Sequence, residues 1–193
     1  MKSKFILASA SPRRKDFLDM IGLDFEVIPS AVEEVFLEKE SPKEHVVRLS
    51  REKAFPVAKL RPRTWVLGAD TVVSADGEIF GKPRNEDDAK KMLEKLSGKA
   101  HQVITGFTLL QEGHTLKISE TVESVVIFKD LSSEEIAWYI ATQEPFDKAG
   151  GYAAQGIGAC LIREIRGSYT NVVGLPLCEV LEALKQVGAV KLW

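Results

Sequence analysis

Four places in the sequence hold charged residues where simple folding logic would not put them. In Ser9-Ala10-Ser11-Pro12-Arg13-Arg14-Lys15, three cations occupy the first turn of an expected helix. The helix dipole and the free N–H groups at that end favour anions, so each cation is unfavourable there. An anion bound at the strand-to-helix junction would reverse the sign. Small serines let a phosphate approach the backbone, and arginine forks match its oxygens; the plain alternative is three solvated cations. Lys53 shares the apolar helical stripe of Val46, Leu49, Ala54 and Val57. There it either snorkels to solvent or meets a buried anion. Asp70 lies inside the apolar run Trp65-Val66-Leu67-Gly68-Ala69-Asp70-Thr71-Val72-Val73. An unpaired carboxylate is costly in such a place, so Asp70 must pair, bind a cation, or act as a base at a strand's open end. Lys82, in Gly81-Lys82-Pro83, follows an Asp76-Gly77 hairpin turn whose register sets it opposite Thr71. Alternation then puts Lys82 on the sheet face away from Asp70. A flexible stem or a bulge would reconcile the two, but register alone proves no contact, and the plain alternative is a solvated hairpin lysine.

Two loops add to this set. Glu33-Glu34 either supplies a second carboxylate for a divalent metal or forms a solvated acidic loop. The neutral, glycine-rich stretch Asp147-Lys148-Ala149-Gly150-Gly151-Tyr152-Ala153-Ala154-Gln155-Gly156 lets backbone approach a ligand. Gln155 offers a donor and an acceptor to a base edge, while Tyr152 and Tyr169 read as packing residues. Together these features suggest cations for a polyphosphate and carboxylates for a hard metal, the parts of metal-assisted phosphoanhydride chemistry. The sequence has no Gly-x-x-x-x-Gly-Lys-Ser/Thr, Gly-x-Gly-x-x-Gly or Gly-x-Ser-x-Gly motif. That argues against Walker ATPases, protein kinases, Rossmann dehydrogenases and serine hydrolases of the nucleophile-elbow type.

The elements that must position these residues alternate between strands and helices. Strands are expected at 5–9, 25–28, 64–73, 78–80, 101–110, 116–128 and 159–165. Ser11-Pro12 opens a first helix that ends before Gly22. The capping box Ser41-Pro42-Lys43-Glu44 opens a second, running to about Leu60 with Pro56 inside it. Further helices are expected at 86–96, from Ser132 or Ser133 to Ala141, and at 177–187. Hairpins interrupt the alternation, so the fold class is α/β with a mixed twisted sheet and flanking helices, in one domain over 1–193.

The whole chain has 193 residues, with 26 Lys+Arg against 28 Asp+Glu, a balance unlike the strongly basic surface of a dedicated DNA-binding protein. No nucleic-acid partner is expected. The longest uncharged stretch, 149–162, is too short to span a membrane, and the apolar run after Lys2 and Lys4 is too short for a signal peptide. The expected compartment is the cytoplasm, with no membrane partner. Cys160 and Cys178 are too few and too distant for a disulfide framework and read as buried small hydrophobes. His45, His101 and His114 lack metal-ligand spacing.

The blocks Leu7-Ala8-Ser9-Ala10-Ser11-Pro12-Arg13-Arg14, Arg51-Glu52-Lys53-Ala54, Gly68-Ala69-Asp70-Thr71-Val72-Val73, Gly81-Lys82-Pro83 and Leu96-Ser97-Gly98 recur in one known family. So do Glu144-Pro145-Phe146-Asp147-Lys148-Ala149-Gly150 and Gly167-Ser168-Tyr169-Thr170-Asn171-Val172-Val173-Gly174-Leu175-Pro176. In order and across nearly the whole chain, they resemble the Maf family of nucleoside triphosphate pyrophosphatases. The resemblance implies a two-lobed fold around a cleft, related to the inosine triphosphate pyrophosphatases. It implies hydrolysis of a nucleoside triphosphate to monophosphate and pyrophosphate with Mg²⁺ or Mn²⁺, in a cytoplasmic homodimer, and an association with septum formation. Asp70 matches the family's proton acceptor and, with Glu33, its metal carboxylates. Arg14, Glu33, Lys53 and Lys82 match its charged pocket, and Ser9, Ser11 and Lys148 are further candidate substrate contacts. Arg13, Thr71 and Gln155 match positions that set base choice, in the pattern of the subgroup acting on dTTP and UTP. Gly151, Ala153 and Ala154 depart from the commoner residues of the base loop. A purine-directed pyrophosphatase and a non-catalytic nucleotide-binding regulator are the competing readings.

Overall fold

Helix starts follow their capping chemistry. In the computed structural model, which describes residues 5–114 and 117–191, α1 (Pro12–Met20) and α2 (Pro42–Leu60) both begin on proline. Ser41 and Glu44 form the expected capping box: Glu44 N–H donates to the Ser41 hydroxyl, and Ser41 N–H donates to the Glu44 carboxylate at 2.9 Å. α2 continues through Pro56. α3 (Glu86–Leu96) is capped by Asn85, and α4 (Ser133–Ala141) by a second capping box, Ser132 with Glu135. Ser11 stands at the cap position of α1, but its hydroxyl makes no capping bond; Ser11 N–H donates instead to the Ser9 hydroxyl at 3.2 Å. The expected strand start at 116 and the residues Lys2 and Lys4 lie outside the described residues.

The strands are β1 (Phe5–Leu7), β2 (Phe25–Val27), β3 (Val66–Ala75), β4 (Glu78–Phe80), β5 (Ala100–Leu110), β6 (Ile118–Phe128) and β7 (Ile162–Arg166). They pair in the order β2-β1-β3-β5-β6-β7, with β4 on β3. β1 is parallel to β2 and β3, whereas β3–β4 and β6–β7 are antiparallel, which makes the sheet mixed. Asp76 and Gly77 both have positive φ, at 51° and 80°, the backbone a type I′ turn requires. The turn sets Val73 opposite Phe80 and Ala75 opposite Glu78, in the expected register.

The chain divides into two compact units. The first takes residues up to Asp70, Thr105–Val122 and those from Gly174 onward; the second takes Thr71–Ile104 and Glu123–Val173. Each has its own apolar core. In the first unit Ile6, Ala8, Ala54, Val57, Ala58, Val66 and Leu110 pack together. In the second, Val73, Phe80 and Val103 pack with Leu93, Leu96, Tyr139 and Tyr152, among others. No helix among the described residues is long and apolar enough to cross a membrane.

Three expectations need correction. Cys160 and Cys178 are exposed. α6 (Leu177–Gln186) buries Val180, Ala183 and Leu184, a stripe that excludes Cys178, and the turn carrying Cys160 buries Gly158 and Leu161 instead. β7 begins at Ile162 rather than 159, because residues 157–161 curl into a 3-10 turn. Tyr169, the first residue of the short helix α5 (Tyr169–Val173), is 46% exposed. Tyr152 is buried, as expected of a packing residue.

His101 gives the second unit a defined response to acid. Its ring lies edge-on to Phe128 and Tyr152, Nε2 is 2.8 Å from the Tyr152 hydroxyl, and burial pushes the imidazole down to about 4. Above the ordinary value of 6.5 both folded and unfolded chains hold it neutral. As pH falls below 6.5 the unfolded chain takes up a proton first, so stability is lost until the folded form titrates near 4, about 3 kcal/mol in all. Thermal melts between pH 7 and 4.5 should show this loss, and His101→Gln should flatten that window. An unchanged slope would remove His101 as its source.

Candidate active site

Two glycines bring the central helix onto the sheet in the first unit. A Cβ at Gly68 of β3 would lie 2.1 Å from the Ser50 carbonyl oxygen of α2, and one at Gly106 of β5 would lie 2.6 Å from the Val46 carbonyl. Their absence lets α2 approach closely, which places Lys53 against Asp70. Lys53 Nζ donates to Asp70 Oδ1 and to Glu34 Oε1, both at 2.6 Å. Asp70 is 5% exposed and Lys53 8%, so the lysine meets the buried anion rather than snorkelling.

The other oxygen, Asp70 Oδ2, lies 3.9 Å from His45 Nε2. The opposite ring nitrogen of His45 is 3.0 Å from Glu40 Oε2, and Phe36 stacks on the ring at 4.5 Å and 7°. Arg48 grips Glu40 with Nε at 2.6 Å and Nη2 at 2.8 Å, and it also donates to Glu52 and to the Val35 carbonyl. That grip, with the His45 contact, outweighs burial and holds the Glu40 carboxyl down at about 2. The network ties residues 34–40 to α2.

Arg14 is buried, and its groups reach the backbone beside the aspartate. Nε donates to the Gly174 carbonyl at 2.8 Å; Nη1 donates to the Ala69 carbonyl at 2.8 Å and to the Ser9 hydroxyl at 3.1 Å. Burial lowers its pKa, and the nearby Asp70 and Glu34 charges work the other way. Ser9 is buried, whereas Ser11 and Arg13 are half-buried at the start of α1. Glu33 is exposed; its neighbour Glu34 is the residue that joins Lys53 and Asp70.

In the second unit Thr71 continues β3 and is half-buried. Lys82 is exposed, two residues beyond β4. Gly150 N–H donates to the Gly81 carbonyl at 3.0 Å, which joins the glycine-rich loop to the segment carrying Lys82. Gly150 needs its positive φ of 70°, and a Cβ there would press on Val73 at 2.9 Å. Lys148 is half-buried and paired with Asp147, and Gln155 is exposed.

The first-unit cluster can accept a proton at a carboxylate held by an ammonium group and can present cations to phosphate oxygens. Among the described residues no three His, Cys, Asp or Glu side chains gather as a metal site. Asp70 and Glu34 nevertheless converge on one cation position, now taken by Lys53 Nζ. Two carboxylates fit a magnesium-type ion, which completes its shell with water and substrate phosphate. Glu34 stands out in the sequence only as part of the Glu33-Glu34 pair, whereas Glu40, His45 and Arg48, which join this cluster, are not singled out there. The helical spacing of His45, Leu49 and Lys53, four residues apart on one face, was the available signal for the histidine.

A family profile described as Maf-like protein matches residues 4–187. The dTTP/UTP pyrophosphatase of Syntrophus aciditrophicus is 54% identical over 189 residues, covering 98% of this chain and 92% of that one. That of Geotalea uraniireducens is 51% identical over 190 residues, covering 98% of each. The solved structure of the Staphylococcus aureus Ham1 protein matches with a TM-score of 0.48 at 15% identity, over 82% of this chain and 79% of that one. On the profile match and on identities of 54% and 51% over nearly the whole chain to these relatives, the chain belongs to the Maf family.

Proposed function

We propose that this chain is a pyrophosphatase that hydrolyses dTTP and UTP to the monophosphate and pyrophosphate. One observation carries the reading: the buried Lys53–Asp70 contact at 2.6 Å, within the Gly68-Ala69-Asp70-Thr71 run of a chain whose full-length relatives bear that name. With Oδ1 engaged by Lys53, Asp70 takes the proton of the attacking water at Oδ2. Lys53, Arg14 and Lys82 neutralise the phosphates, where charge develops on the pyrophosphate leaving group. Ser9, Ser11 and the first N–H groups of α1 take phosphate oxygens. Arg13, Thr71 and Gln155 read the base, and Lys148 contacts the substrate.

Asp70 and a carboxylate of the Glu33-Glu34 pair would hold Mg²⁺ or Mn²⁺. A divalent ion there supplies neutralisation of the triphosphate charge. The family pattern extends the reading to a cytoplasmic homodimer.

A panel of nucleoside triphosphates with Mg²⁺ or Mn²⁺, scored for pyrophosphate against orthophosphate, tests this. The expected result is pyrophosphate from dTTP and UTP, abolished by EDTA. Pyrophosphate mainly from purine nucleotides would sink the base assignment. Stepwise orthophosphate release would sink the bond assignment, and no turnover at all would favour a nucleotide-binding regulator.

A further inference from the structure

The loop that carries Gln155 is held by one carboxylate and one phenol. Tyr139 of α4 receives the Ala153 N–H on its hydroxyl oxygen at 3.1 Å and donates to Glu144 Oε2 at 2.8 Å. Glu144 also accepts the Ile157 N–H at 2.9 Å on Oε1 and the Gly158 N–H at 2.7 Å on Oε2. Three backbone donors, one before Gln155 and two after it, therefore converge on two side chains of the same unit. Between the anchors only residues 154–156 are spanned, and Gln155 at their centre is exposed.

The fit leaves no slack. A Cβ at Gly156 would lie 2.1 Å from Glu144 Oε1, and one at Gly158 would lie 2.5 Å from the Tyr139 hydroxyl. Gly156 has φ of +150°, so both space and backbone demand glycine there. Burial works against the Glu144 charge, but the Gly158, Tyr139 and Ile157 donors outweigh it and hold the carboxyl below its usual range.

We infer that Glu144, acting with Tyr139, is a positioning residue that sets pyrimidine-base preference by fixing the backbone on both sides of Gln155. The inference rests on the reading of Gln155 as the base contact. A carboxylate is needed because every partner is a donor. Glutamine would turn one arm of the clamp into a donor facing an N–H or a hydroxyl proton, and the loop would relax. The geometry of the Gln155 contact would degrade while the Asp70 cluster, in the other unit, kept its residues.

The test compares kcat/KM for dTTP with kcat/KM for dCTP, which differ where Gln155 would read them: a carbonyl and ring N–H against an amino group and ring acceptor. Glu144→Gln should lower the dTTP:dCTP ratio about 10–100-fold, the scale expected of a misplacement near 1 Å, mainly through KM for dTTP. Gln155→Ala should lower it by a similar factor. Tyr139→Phe, which keeps the Glu144 bonds to Ile157 and Gly158, should lower it less. A loss of fold alone reduces active enzyme and leaves the ratio unchanged. If Gln155→Ala changes the ratio and a folded Glu144→Gln does not, the clamp is overturned and the base reading survives. If Gln155→Ala leaves the ratio intact, the base reading falls and takes the clamp with it. Should Glu144→Gln fail to fold, Tyr139→Phe decides in its place, and an unchanged ratio overturns the inference.

Discussion

Asp70→Asn should cut pyrophosphate release from dTTP by at least about 10²-fold, and by up to about 10⁴-fold, while the protein stays folded. The range is what one positioned general base contributes. Asparagine keeps the shape of the side chain and an oxygen for the Lys53 ammonium, but it cannot take a proton from water. The ammonium keeps a charged partner too, since Glu34 Oε1 lies 2.6 Å away. Turnover should therefore fall far more than stability. A variant with the wild-type melting curve and near wild-type turnover would show that Asp70 is not the base.

Lys53→Met should instead destabilise strongly. It removes the donor that Asp70 Oδ1 meets at 2.6 Å and leaves a carboxylate only 5% exposed without that partner. Breaking one side of a buried pair costs about 3–5 kcal/mol. In a protein of this size that is roughly 10 °C in melting temperature. Adding Asp70→Asn to Lys53→Met removes the stranded charge, so the double variant should regain much of the lost stability but none of the activity. Thermal melts and pyrophosphate assays on both single variants and the double separate the roles. A double variant as unstable as Lys53→Met would show that the stranded carboxylate is not the cause. A Lys53→Met protein of normal stability and normal kcat and KM would remove lysine from the pocket.

The parts of this site carried by local chemistry could be read in the chain. Asp76-Gly77 announced its turn because Asp and Gly accept positive φ, and the turn then set the β3–β4 register. Ser41 with Glu44 marked the start of the helix that delivers Lys53. Lys53 and Asp70 stood out because each is a charge among apolar neighbours, and they prove to be each other's partners. Glu34 was a candidate only as half of the Glu33-Glu34 pair, and Glu40 and Arg48 did not stand out, because residues 31–40 have no periodicity and acidic residues in a loop look solvated. Only the fold shows that Arg48 reaches Glu40 and, through His45, the neighbourhood of Asp70. The turn at 157–161 was hidden for a related reason. Its N–H groups bond to a carboxylate 13 and 14 residues earlier, so nothing nearby in sequence signals it.

Gly68 and Gly106 bear no functional group, yet they set the distance between the helix that carries the ammonium and the strand that carries the carboxylate. The reach of the Lys53–Asp70 pair is thus a packing dimension, gauged by two missing methyl groups. Lineages sharing this architecture can exchange many surface charges at little cost, but an alanine at either glycine acts like a shim under α2. The positions with least latitude for substitution therefore include two with no chemistry of their own, and tuning of the reaction is open to change through the spacing of backbones as well as through the identity of the acids and bases.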